Sequence, residues 1–195
     1  MTWIKAGMEQ LAYPPPNFFL ESPMPNLEWS DALALDLPAM DDTHREFVDL
    51  LAAVNAAPDD TLLAHWTALI AHTDDHFGLE DEWMQATRFA SSNCHSMQHK
   101  VVLQVLREGL ARGEGGDLAV VRQMAQELVL WFPHHAQAMD ASLALHLRRL
   151  GFDPATGVVS LPEALPKELI HGCGGSTCSD EANDLTQPER ATEAA

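Results

Sequence analysis

Basic residues are scarce in this chain, with 11 Lys and Arg against 29 Asp and Glu for a formal net charge of -18. Nucleic acid and anionic membrane surfaces both require clustered positive charge, so neither is expected as a partner. Cysteine is scarce as well. Three is an odd count, and Cys94 stands far from Cys173 and Cys178, so no disulfide framework is expected. No apolar run approaches the length of a membrane span. The opening stretch MTWIKAGMEQLAYPPP has neither the basic head nor the apolar stretch of a secretory signal, and a cytoplasmic location is the expectation. The single tyrosine, Tyr13, lies in that same stretch, which argues against tyrosyl-radical chemistry. Against these absences stands a hydrophobic content of 46% in 195 residues, enough for one packed domain with ends to spare.

The pattern along the chain is helical. Residues 1–28 are proline-rich (Pro14, Pro15, Pro16, Pro23, Pro25) and read as an extended arm. A first helix opens after Pro38, with Asp41 or Asp42 as N-cap, and carries Phe47, Leu50, Leu51 and Val54 on one side. A second opens at Asp59 or Asp60 and runs to about Arg88, with Leu62, Trp66, Leu69, Thr73, Phe77 and Met84 turned inward. A third runs from Ser91–Asn93 to Gly113. A fourth runs from Asp117 to Leu150, is bent locally at Pro133, and stops at Gly151. Short connections make neighbours antiparallel, so the fold class is all-α, an up-down-up-down four-helix bundle over residues 29–151. Beyond Gly151 the helical period fades, and residues 152–195 read as a largely irregular extension ending in a disordered tail.

Ten histidines is a high count for this length. Each predicted helix carries at least one: His44 in DDTHREF, His72 and His76 in HTDDHFGLE, His95 and His99 in CHSMQH, His134 and His135 in PHHAQAMD. Residues four apart share one helix face, so His76/Glu80 and His95/His99 each place two possible ligands on one stripe. Taken singly, any of these histidines reads as a solvated or boundary residue. Taken together they do not, because several imidazoles and carboxylates facing a bundle interior are costly unless cations compensate them. Imidazole with carboxylate suits iron, zinc or manganese.

The ordered set H, H-x3-E, H-x3-H, H-x4-D resembles that of the hemerythrins, the non-haem di-iron oxygen-binding proteins. The resemblance spans residues 27–150 and includes EWSDALALDLPAMDDTHREFVDLL, HFGLEDEWM, the fifteen-residue step from Glu80 to His95, and WFPHHAQAMD. It implies a metal set of His44, His76, Glu80, His95, His99, His135 and Asp140. His95, His99 and His135 would hold one iron and His44 and His76 the other, with Glu80, Asp140 and an oxo or hydroxo group as bridges. The family register selects His76 over His72, leaving His72 as a helix-edge residue or a support for a neighbouring ligand. It likewise selects His135 over His134. Helical geometry alone would not choose Asp140, since five residues rotate it about 140° from His135.

The implied function is reversible dioxygen binding, as a carrier, a store or a supplier to an oxygen-using enzyme. Phe47, Phe77, Trp131 and Phe132 are the expected lining of the oxygen pocket. The alternatives are a di-iron peroxidase or nitric oxide reductase, and an oxygen or redox sensor acting on a signalling partner. Di-iron oxidases of the ferritin-like type use mostly glutamates and paired E-x-x-H motifs, which this site lacks. In the tail, His171, Cys173 and Cys178 form a weak candidate for a thiol pair or metal site.

Overall fold

The computed structural model describes residues 27–89 and 94–168. Residues 1–26 of the expected arm, the third helix's start at Ser91–Asn93, and the tail group His171, Cys173 and Cys178 lie outside these residues. Four rods pack side by side: α1 (Pro38–Ala56), α2 (Asp59–Ala86), α3 (Cys94–Glu114), and a fourth made of α4 (Leu118–His135), a π turn (Ala136–Asp140) and α5 (Ala141–Arg149). Consecutive rods are packed neighbours, and α1 also packs against α4, which closes the four-helix bundle.

Three helix boundaries have local causes. The first helix begins earlier than expected, because Pro38 occupies its opening turn, where a missing N–H costs nothing. Asp41 is therefore no N-cap. It lies inside the first turn, buried, and its Oδ1 accepts from the Leu35 amide at 2.7 Å, fixing the approach of the chain. Asp117, where the fourth helix was expected to start, caps α4 by accepting from the Val120 amide. Gly151 ends α5 at a φ of +56°, a left-handed conformation natural to glycine, and a Cβ there would stand 3.1 Å from the Ser160 Cβ.

The segment after Gly151 is better formed than its sequence suggests. Two short strands, β1 (Phe152–Asp153) and β2 (Val158–Val159), pair antiparallel, and a 3-10 turn follows at Pro162–Ala164. Phe152 is buried against Trp83, and Arg88 donates to the Pro166 carbonyl, so the hairpin closes one end of the bundle. A hairpin of two-residue strands has too little alternation to be read from sequence. The disulfide expectation also fails in part. Cys94, at the start of α3, is disulfide-bonded. Cysteine usage therefore no longer argues for a reducing compartment. Among the described residues, no helix is long and apolar enough to cross a membrane.

The apolar interior is divided in two. One core holds Phe47, Leu51, Leu62, Trp66, Leu69, Leu106, Val121, Leu128 and Phe132. The other holds Met40, Trp83, Met84, Leu143, Leu147, Leu150 and Phe152. Three rods, α1, α2 and the fourth, pass from one core to the other, while α3 begins at the boundary and enters only the first. Between Met40 and Phe47 on α1 lies His44. Between Ile70 and Trp83 on α2 lie His76 and Glu80. His95 and His99 precede Leu103 on α3, and His135 and Asp140 separate Phe132 from Leu143 on the fourth rod. A single polar layer crosses the bundle between two dry ones.

Candidate metal centre

Helical spacing places most of this layer. His76 with Glu80, and His95 with His99, are each one turn apart on the inward stripe of α2 and α3. Asp140 arrives by a different route. The stripe of the fourth rod runs Val121, Ala125, Leu128, Phe132, His135, then slips by one residue to Asp140, Leu143 and Leu147. The π turn absorbs the extra residue. Its wider loop is closed by the Ala141 amide reaching the Ala136 carbonyl five residues back. This puts Asp140 beneath His135 and keeps Leu143 and Leu147 in the core. The turn follows Pro133, whose missing N–H already leaves one helical bond unmade.

All seven side chains are at most 4% exposed. Five of them, Glu80, His95, His99, His135 and Asp140, form one group able to hold a metal ion; His44, His76 and Glu80 form another. The carboxylates are shared between the two sides. Glu80 Oε1 lies 2.9 Å from His76 Nε2, while its Oε2 lies 3.2 Å from His95 Nε2 and 3.4 Å from His99 Nε2. Asp140 Oδ2 lies 3.2 Å from His44 Nε2, while its Oδ1 lies 3.0 Å from His95 Nε2 and 3.1 Å from His135 Nε2. Each carboxylate thus turns one oxygen to two of the three histidines His95, His99 and His135, and the other to one of the pair His44 and His76.

Most of these contacts are short without having hydrogen-bond geometry. Among the described residues, nine of the ten buried side-chain atoms that lack a hydrogen-bond partner belong to this layer, and the tenth is Asn55 Nδ2. Unpartnered buried polar atoms are costly, and a native fold rarely gathers so many. Spacing explains seven of them, the imidazole Nε2 and carboxylate oxygen atoms. Ligands about 2.1 Å from a common metal ion, at right angles to each other, stand about 3.0 Å apart. The donor set and the orphaned atoms therefore fit metal ions bound by imidazole and carboxylate.

Without metal, the layer is held by charge. Burial pushes the His95 imidazole down, but the Asp140 and Glu80 carboxylates against it outweigh burial and raise it to about 10. His44 is also raised, burial being outweighed mainly by Asp140. Burial and mutual repulsion push Glu80 up, yet its histidines hold it well below its usual 4.5; His135, His44 and His95 hold Asp140 below 3.8 in the same way. The signs give a prediction for metal-free protein. Stabilisation from His95 is complete below its unfolded value of 6.5 and is lost as pH rises through about 10. Stabilisation from the carboxylates is present above their unfolded values and is lost as pH falls through their depressed folded values. Urea unfolding of metal-free protein should show stability declining from pH 6.5 towards 10, by up to about 1.4 kcal/mol per pH unit for each proton lost. Metal affinity should rise over the same window, because binding requires those protons to leave.

The aromatic side chains expected around the pocket fall into two groups. Phe132 meets His44 edge-on at 5.1 Å and stacks on Phe47 at 4.6 Å, covering the two-histidine side. Phe77 stacks on His99 at 3.9 Å and Trp131 on His135 at 4.5 Å, covering the three-histidine side. Phe77 also lies 5.6 Å from His76.

Of the two histidines that the family register set aside, His134 is exposed, whereas His72 is partly buried. His72 Nε2 stands 3.1 Å from the Thr43 carbonyl, where it donates from α2 to α1 beside His44. It is an interhelical tie and not a solvated helix edge. Burial pushes its imidazole down, favouring the neutral form. Replacing His72 with alanine should cost about 1 kcal/mol, the worth of one hydrogen bond, and leave metal content unchanged in a metal assay. Sequence reasoning missed two neighbours, Asp81 and Gln98. Asp81 Oδ1 lies 3.3 Å from His99 Nδ1, and Gln98 Oε1 lies 2.9 Å from His135 Nδ1. Their adjacency to Glu80 and His99 was the only signal available.

Comparison with known proteins agrees with this geometry. Residues 35–145 match the family model described as the hemerythrin HHE cation binding domain. A bacteriohemerythrin from Ralstonia nicotianae (strain ATCC BAA-1114 / GMI1000) is 38% identical over 130 residues, covering 67% of this chain and 95% of that relative. No solved structure matches the chain.

Proposed function

Because the chain belongs to the hemerythrin family, we propose that its polar layer holds two non-haem iron ions and binds dioxygen reversibly. The observation that carries this reading is the division of Glu80 and Asp140, each with one oxygen towards the group His95, His99 and His135 and the other towards the pair His44 and His76. Such an arrangement suits a pair of ions bridged by two carboxylates. His95, His99 and His135 would hold one, His44 and His76 the other. With two protein nitrogens instead of three, the His44–His76 side is the one with room for an external ligand. A ferrous pair bound there supplies the two electrons that dioxygen binding requires.

The protein's own contribution is position, charge and dryness. Five neutral imidazoles and two carboxylates keep the net charge of the layer small, which a buried site requires. Phe132 and Phe47 stand over the two-histidine side, 2% exposed each, and keep water from the position a ligand would occupy. Exclusion of water and protons is what allows a bound gas to leave unchanged. The two apolar cores seal the layer from either end.

The test is an oxygen titration of anaerobically iron-loaded protein, followed optically, with removal of oxygen after each step. Binding that saturates and reverses over repeated cycles supports the proposal. Steady consumption of hydrogen peroxide by a supplied reductant, with no stable oxygen adduct, would instead make the centre a peroxidase.

A further inference from the structure

The two metal positions are unequally supported from outside. A histidine that binds metal through Nε2 carries its proton on Nδ1, and an acceptor there fixes both the tautomer and the orientation of the ring. Two histidines of the three-histidine side have such an acceptor. His99 Nδ1 faces the Asp81 carboxylate at 3.3 Å, and His135 Nδ1 faces Gln98 Oε1 at 2.9 Å. Both contacts cross between helices. Asp81 on α2 steadies a ligand of α3, and Gln98 on α3 steadies a ligand of the fourth rod beside its π turn. Phe77 and Trp131 stack on the faces of the same two rings. On the two-histidine side, His44 Nδ1 is buried with no hydrogen-bond partner, as is His95 Nδ1, the third ring of the other side.

We propose that Asp81 and Gln98 are positioning residues that make the three-histidine side the tighter of two metal positions, so that it fills first and the His44–His76 side exchanges its ion more readily. The proposal rests on the two-metal reading above. Its physical basis is preorganisation. A ring already held in its ligating tautomer and direction loses less freedom on binding, and an acceptor at Nδ1 makes Nε2 a stronger donor. Loss of an outer partner of this kind typically weakens metal binding about 10–100-fold.

The experiment is an equilibrium titration of metal-free full-length protein with Co²⁺, read by the visible absorption of the bound ion, which involves no oxygen chemistry. Wild-type protein should titrate in two steps. In Gln98→Leu the tighter step should weaken about 10–100-fold while the weaker step stays in place; Gln98→Glu, which keeps an acceptor oxygen, should restore the first step. Asp81→Leu should act on the same step. His44→Ala should remove the second step and spare the first. Unchanged thermal midpoints of the metal-free Gln98 and Asp81 variants would show that the effect is not one of folding.

Equal weakening of both steps, wild-type behaviour in the Gln98 and Asp81 variants, or loss of the first step in His44→Ala would overturn the proposal. Failure of wild-type protein to bind a second ion would overturn the two-metal reading itself. Tight two-step binding without an oxygen adduct would leave this proposal standing and remove only the oxygen function.

Discussion

Glu80→Ala should abolish retention of the metal pair, weakening metal binding by more than the about 100-fold that loss of a mere outer partner brings. Glu80 is the only residue common to both metal-holding groups. Its two oxygens face His76 on one side and His95 and His99 on the other, at 2.9–3.4 Å. Its removal takes one ligand from each position and leaves the histidines without their nearest compensating charge. The metal-free chain should suffer too, since removing one partner from a buried charge network costs about 3–5 kcal/mol. His76→Ala should be milder, losing the ion on the two-histidine side and with it the oxygen response. Metal analysis after anaerobic loading and desalting, run beside circular dichroism, distinguishes the two variants. His72→Ala, one turn away on the same helix, is the control that should load normally.

Removing iron from the wild-type protein should lower its thermal midpoint by about 10 °C or more. The magnitude follows from linkage. A ligand present at a thousand times its dissociation constant stabilises the folded state by about 4 kcal/mol. For a domain of this size, each 1 kcal/mol moves the midpoint by about 2–4 °C. Nine buried donor and acceptor atoms of the polar layer lack hydrogen-bond partners of their own. Metal would satisfy the seven that face one another, all but His44 Nδ1 and His95 Nδ1, and its removal leaves that polar surface wedged between two apolar cores. Scanning calorimetry with and without a chelator measures the difference. Equal midpoints would mean that the layer is satisfied by its own charges alone.

Most of the architecture was legible because it rests on helical period. The inward set of α2, from Leu62 to Met84, is buried as its spacing requires. The pairs His76/Glu80 and His95/His99 are legible for the same reason. What period cannot show are departures from it. Asp140 reaches the layer only through the π turn. The visible trace of that turn is a one-residue slip in the apolar stripe between His135 and Leu143, which reads as noise until the wider turn is considered. The start of α1 was misplaced because two aspartates resemble caps, whereas Pro38 opens the helix and Asp41 caps back to Leu35 from within it. The ties through His72, Asp81 and Gln98 depend on which rods lie side by side, and no local pattern encodes that. The hairpin after Gly151 is stabilised by Phe152 packing on a distant part of the chain.

The central claim is that seven side chains from four rods hold two iron ions in unequal surroundings, one with three histidines and one with two. The Mössbauer spectrum of protein reconstituted with ⁵⁷Fe and exposed to oxygen tests it most directly. Two iron signals of equal area, both reverting together when oxygen is withdrawn, are the result this arrangement predicts. A single signal at one iron per chain, or no iron retained at all, would contradict it.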